Sequence, residues 1–152
     1  MVSYLKKEID SKFALIIDFD STIVSLESLE YIAELSLINN KNKNNLIKKI
    51  NDLTNLAMNG DISFQDSLDQ RLELMDISQC HIAETINYLK KKIDNSFKNN
   101  LDFFKDFIDD IYIVSGGFYS IIHPLMQSLS NINWQIYAND FVIDLNNNVI
   151  GV

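Results

Sequence analysis

A single cysteine, Cys80, stands in the 152 residues. That excludes an internal disulfide framework and a cysteine-rich metal site, and it fits a reducing compartment. No apolar run approaches the length of a membrane span, and the opening stretch MVSYLKKEIDSK has basic residues but no apolar core of signal-peptide length. The expected location is therefore cytoplasmic, with no membrane partner. Positive charge is also scarce: 13 lysine and arginine residues face 21 acidic ones, for a formal charge of −8. An extended surface for nucleic acid or anionic lipid needs clustered cations, so no nucleic-acid partner is expected. A small anionic substrate needs only one local positive site and stays open. Glycine occurs four times and proline once, so the positions of the glycines carry information.

With 47% apolar and 22% charged residues, the chain can bury a sizeable core as a globular protein. Residues 13–17 (FALII) and 111–114 (IYIV) are short, continuously apolar and followed at once by polar or small residues. They read as fully buried strands of a parallel sheet. Residues 135–138 make a third strand, and 141–144 with 148–152 a hairpin across Asn146-Asn147-Asn148. The apolar spacing of Phe118, Ile121, Ile122, Leu125, Met126 and Leu129 predicts a helix over about 117–130, with a bend at Pro124. Between the first two strands the pattern is helical, over about 27–37, 44–58, 63–75, 78–92 and 97–108. A plain crossover is far shorter, so the expected class is α/β: a parallel-sheet core (1–26 and 109–152) with an inserted helical cap and connecting helix (27–108). The segment SFQD, Ser63 to Asp66, has the form of a capping box.

Ligands of open parallel sheets bind beyond the carboxyl ends of the strands, which directs attention to two loops. In DFDSTI, Asp18 to Ile23, the carboxylates Asp18 and Asp20 alternate as the strand ends, so an extended backbone projects both to one side. They either cap a turn or share a hard cation such as Mg²⁺, which takes one or two carboxylates plus water and substrate phosphate. One carboxylate can then attack phosphorus while the other moves a proton. The second loop, Ser115-Gly116-Gly117, leads from a strand into a helix. It is either a tight turn or a cradle of amides and a hydroxyl for an anion. On the cap helix at 63–75, Phe64 and Arg71 share a face. Arg71, the one arginine, is either solvated or placed to grip a carboxylate with two N–H groups.

The segments DFDSTIVSLE, AMNGDISFQDSLDQR and IVSGGF resemble, in order and at matching spacing, the phosphoserine phosphatase family of the haloacid dehalogenase (HAD) superfamily. AND (Ala138 to Asp140) and the closing VIG resemble the next strands of that family. The resemblance implies a Rossmannoid parallel sheet with an inserted cap and Mg²⁺-dependent hydrolysis of O-phosphoserine, the last step of serine biosynthesis. It implies Asp18 as nucleophile and metal ligand. Asp20 is implied as general acid and base, with its carbonyl on the metal. Ser115 and Gly116 are implied as phosphate holders. In the cap it implies Glu27 toward the substrate ammonium, Arg71 toward its carboxylate, and Met58 and Phe64 as the closing apolar wall.

The pattern breaks at one point. The family carries a lysine on a later core segment and then a GDGxND-type loop with another metal-ligating aspartate; here the last lysine is Lys105 and no such loop follows. Asn139-Asp140 fits the earlier strand and does not substitute. The expectation is a core incomplete at its C-terminus, exposed core surface, and little activity in these residues alone. Two other readings stay open: the same covalent chemistry on another small phosphomonoester, with phosphoryl transfer to water or to an alcohol such as homoserine, or an inactive phosphate-binding fragment. Oligomeric state is not legible, and His81, His123 and Trp134 receive no functional role.

Overall fold

The chain's computed structural model describes residues 13–152; the N-terminal stretch 1–12, read above for a leader, lies outside the described residues. Strands β1 (Leu15–Ile17), β2 (Ile111–Phe118) and β3 (Gln135–Asn139) form a parallel sheet in the order β1-β2-β3. Ile17 pairs with Ile113, and Ile113 with Ile136. Six helices separate β1 from β2: α1 (Ser28–Ser36), α2 (Lys43–Met58), α3 (Phe64–Leu72), α4 (Gln79–Leu89), α5 (Asn95–Asn99) and α6 (Leu101–Asp106). A 3-10 turn, Ile108–Asp110, then leads into β2. Helix α7 (Tyr119–Leu129) returns along the sheet to β3, and β4 (Val142–Ile143) pairs antiparallel with β5 (Val149–Gly151). The architecture is thus an α/β core with an inserted helical cap, as its sequence predicts.

The insertion has a neck. Val24 forms a bridge with Ile93, while Ser25 N–H donates to Lys92 O at 3.0 Å and Asp94 N–H to Ile23 O at 2.9 Å. These bonds hold the entry beside the exit and satisfy backbone groups that the strand-to-helix transition would otherwise strand. The core around the sheet contains Ile111, Ile113, Phe118, Ile121, Ile122, Leu125 and Met126, all 0% exposed. Burying one such side chain contributes roughly 2 kcal/mol. Trp134 packs against Phe97 and Phe104, with centroids 5.7 and 5.8 Å away, and serves as a packing residue.

Three sequence expectations need correction. Residues 13–17 do not form a fully buried strand, because Ile16 is 66% exposed while Leu15 and Ile17 are half-buried. Alternation puts Ile16 on the sheet face it shares with Val114 and Tyr137, 44% and 58% exposed, and among the described residues nothing covers them. The predicted 97–108 helix is broken at Asn100, whose backbone leaves helical geometry and whose amide donates to Ser96 O at 2.7 Å. A side chain that competes for a helix carbonyl in this way favours a break. Strand β2 also runs on through Ser115-Gly116-Gly117 to Phe118, where a loop is expected. Helix α7 runs through Pro124.

Candidate active site

The turn after β1 is built around a buried aromatic. Phe19, 0% exposed, separates Asp18 from Asp20, and its carbonyl accepts from Ile23 N–H at 2.9 Å and Val24 N–H at 3.2 Å. Anchoring the middle residue inward leaves its two neighbours at the strand end. Ser21 completes the turn with φ of 55°, a left-handed conformation uncommon for a side-chain-bearing residue. Asp18 is exposed, and its Oδ1 accepts from Phe19 N–H at 2.7 Å.

Asp20 is held differently. Its Oδ1 accepts from Ser28 N–H at 2.9 Å and its Oδ2 from Ser28 Oγ at 3.1 Å, so the first turn of α1 grips both oxygens. Burial pushes its carboxyl up to about 6; the Ser28 bonds oppose that rise, and the charges of Glu27 and Asp18 add to it. A carboxyl titrating there sits near neutrality, where proton transfer in either direction is accessible.

The Ser115-Gly117 segment faces this turn. Gly117 N–H donates to Ser115 Oγ at 2.9 Å. A Cβ added at Gly117 would lie 2.9 Å from Asp20 Oδ2, and one at Gly116 would lie 3.2 Å from Phe64 Cζ. Neither glycine has positive φ. Close approach of the held Asp20 carboxylate, rather than an unusual turn, favours glycine at 117, and the Phe64 ring crowds position 116 more mildly.

The cap supplies the opposite wall. Ser63 caps α3 by accepting from Asp66 N–H at 3.0 Å, as SFQD predicts; its hydroxyl donates to the Asp66 carboxylate at 2.7 Å. Ser67 Oγ donates to Leu53 O at 2.9 Å and ties α3 to α2 inside the cap. Arg71 is 9% exposed, not a solvated helix arginine. Its Nε donates to Ser67 O at 3.2 Å and its Nη1 to Thr54 Oγ1 at 3.3 Å. Among the described residues it forms no ion pair. Burial lowers its basicity, while the charges of Glu27 and Glu30 oppose that.

A cavity of about 370 Å³ brings these parts together. Asp18, Asp20, Ser115, Gly116 and Gly117 line its core side. Glu27, Met58, Phe64 and Arg71 line its cap side, so all eight residues singled out in the sequence border one space. Met58 and Phe64 are 82% and 51% exposed and form its rim. The sequence reading missed Thr54, Ala57 and Leu29 on the lining, and Ser28 behind Asp20. Thr54 lies one helical turn before Met58, a spacing that could have found it. Nothing in the sequence pointed to Ser28. Among the described residues no group of three or more His, Cys, Asp or Glu is placed to hold a metal.

No family model matches the chain. A phosphoserine phosphatase of Drosophila melanogaster is 27% identical over 127 residues, 84% of this chain and 44% of that protein. A solved phosphoserine phosphohydrolase-like protein from Francisella tularensis subsp. tularensis SCHU S4 superposes with a TM-score of 0.76 and is 34% identical. In sequence and fold the chain is phosphoserine phosphatase-like. The Francisella match covers 91% of this chain and 63% of that one. A phospho-aspartyl intermediate analogue of phosphoserine phosphatase, at TM-score 0.69 and 23% identity, shares the fold over 93% of this chain and 62% of its own. The phosphoserine phosphatase-like chain spans about half the length of the curated relatives it matches, 44% of the fly protein and 59% of the mouse one. Its α/β core and inserted cap share the fold of these two solved structures.

Proposed function

We propose that this chain is the nucleophile-bearing and substrate-recognising part of a phosphatase that hydrolyses O-phospho-L-serine to serine and phosphate, the closing step of serine biosynthesis. One observation carries the reading: a single cavity has paired carboxylates and a glycine-rich strand end on one side, and on the other a buried arginine that no described residue pairs in an ion pair. A buried guanidinium with unused donors calls for a planar anion, and a ligand carboxylate meets that need. Glu27 on the same lining suits an ammonium. A small phosphomonoester with both groups fits this charge pattern. In domain terms, the described part of 1–26 together with 109–152 is assigned to the core, and 27–108 to the cap and connecting helix. The neck at 23–25 and 92–94 supports separating the cap helices from α5 and α6.

In this mechanism an Asp18 oxygen attacks phosphorus, the bond to the serine oxygen breaks, and an aspartyl-phosphate forms. Asp20 delivers its proton to the departing serine oxygen, then takes one from the water that releases phosphate. Ser115 Oγ and the Gly116 amide hold the phosphoryl oxygens, while Met58 and Phe64 keep bulk water from the acyl phosphate. The donor set suits Mg²⁺ in part: Asp18 offers a free carboxylate oxygen, and Asp20, whose carboxylate is committed to Ser28, offers its backbone carbonyl. Bound there, Mg²⁺ would neutralise charge on the nucleophile and the transferring group.

Among the described residues, the cavity lining contains no cationic side chain besides Arg71. That favours a second reading for the 152 residues alone, phosphate binding with little turnover, since losing one preorganised electrostatic partner commonly costs on the order of 10²–10³ in rate. Calorimetry with O-phosphoserine, phosphoethanolamine and the deamino analogue tests the substrate. Phosphoserine should bind tightest, and equal affinity for all three would refute the recognition scheme. Phosphoserine turnover by the 152-residue chain at an ordinary enzyme rate would refute the second reading.

A further inference from the structure

Asn139 and Asp140 belong to a stretch that neither the Asp18–Asp20 turn nor the cap uses. They stand at the end of β3, opposite the Ser115-Gly117 segment. Val114 pairs with Tyr137, yet the next pair is Phe118 with Asn139, so β2 advances four residues while β3 advances two. The surplus residues swell out of the ladder as a bulge, and bulged backbone loses its regular partners. Asn139 supplies replacements. Its Nδ2 donates to Gly116 O at 2.8 Å and lies 3.4 Å from Gly117 O. Two carbonyl acceptors can be met only by the amide nitrogen, so the orientation of the side chain is determined. Asp140 secures the next step by accepting from Phe141 N–H at 2.9 Å, Ser120 N–H at 3.2 Å and Ser120 Oγ. This fastens the first turn of α7.

We propose that Asn139 is a positioning residue that sets the polarity of the anion loop, an inference that rests on the phosphatase reading for the identity of the anion. A trans peptide points its C=O and N–H in opposite directions. With Gly116 O drawn to Asn139, the Gly117 N–H of the same peptide is turned toward Ser115 Oγ, which it reaches at 2.9 Å. Ser115 Oγ thereby accepts, and its own proton is left to donate into the cavity it lines. The path runs from a β3 side chain, through one peptide, to the hydroxyl that would meet a phosphoryl oxygen. If the Gly116–Gly117 peptide rotated, it would present a carbonyl to that anion, and like charge would oppose binding.

The chain has only four glycines, so their amide resonances form a small, readable set. The test compares the wild-type 152-residue chain with Asn139→Ala and the near-isosteric Asn139→Asp. The readouts are the ¹H–¹⁵N glycine resonances, exchange of the Gly117 amide, and titration with inorganic phosphate. Both variants should move the Gly117 proton upfield and speed its exchange, while Gly60 and Gly151 stay in place and report that the fold is kept. Phosphate affinity should fall about tenfold for Asn139→Ala, as for loss of one hydrogen bond to an anion, and further for Asn139→Asp. A Gly117 resonance unmoved in either folded variant would overturn the proposal, as would unchanged phosphate affinity. If wild-type chain gave no phosphate response, the phosphatase reading would fail instead, and the Gly117 amide would still decide whether Asn139 orients the peptide.

Discussion

The two ends of the cavity are built on opposite plans. At the core end the proposed nucleophile is near solvent: Asp18 is exposed, and the open sheet face with Ile16, Val114 and Tyr137 lies on the same strands. At the cap end the recognising group is interior, since Arg71 is 9% exposed and braced by Ser67 and Thr54. In a completed phosphoryl-transfer site the chemistry is the part that needs a dry, preorganised surround. Under the proposed reading, the described residues would complete recognition before they complete the reaction. Reading a ligand and transforming it can thus be assembled by separate parts of one chain.

The largest expected effect removes the reaction end alone. Asp18→Asn should abolish the beryllofluoride adduct seen by ¹⁹F NMR, because no carboxylate remains to form it, while Arg71→Ala retains it. Loss of the adduct in both variants would collapse the distinction between the ends. At the cap end, Arg71→Ala should weaken O-phosphoserine binding by about 2–3 kcal/mol, the scale of a charge-assisted pair. Affinity for inorganic phosphate should hold. An equal loss for both ligands in calorimetry would show that Arg71 supports the loop rather than the carboxylate.

A smaller effect lies between the two ends. Native Asp20 keeps its proton up to about pH 6, whereas the unfolded chain releases it near the ordinary aspartate value of 3.8. The native state binds more protons inside that window, so this group makes stability fall as pH rises through it and then level off. The amplitude is roughly 1–3 kcal/mol. Asp20→Asn should flatten this slope in urea denaturation series at pH 4, 5, 6 and 7, and a slope of unchanged size would reject the assignment. The smallest effect belongs to the brace. Ser67→Ala leaves the buried Leu53 carbonyl without its cross-helix donor and should cost about 1–2 kcal/mol, read as a lower urea midpoint.

Much of this was legible in the sequence where local chemistry alone decides the outcome. The strand at Leu15–Ile17, its parallel partner beginning at Ile111 and the Ser63 cap follow from apolar runs and spacing. Contacts between distant segments were not legible. Ser28 reaches back eight residues to Asp20, Thr54 reaches across from another helix to Arg71, and Asn139 repairs a bulge whose position depends on pairing register. Exposure of Ile16 also escaped a composition-based reading, since an apolar run looks the same whether or not both faces are covered. The break at Asn100 depends on one side-chain bond that competes with the helix.

The burial of Arg71 without a counter-ion also bears on the lifetime of the protein in a cell. Folding must desolvate a charge that no described side chain pairs, so the empty fold is less secure than the filled one. A carboxylate ligand that pairs with it acts as a chemical chaperone, shifting the population toward the folded state in proportion to its supply. Protein abundance would then track metabolite level through protein turnover, with no dedicated regulatory site.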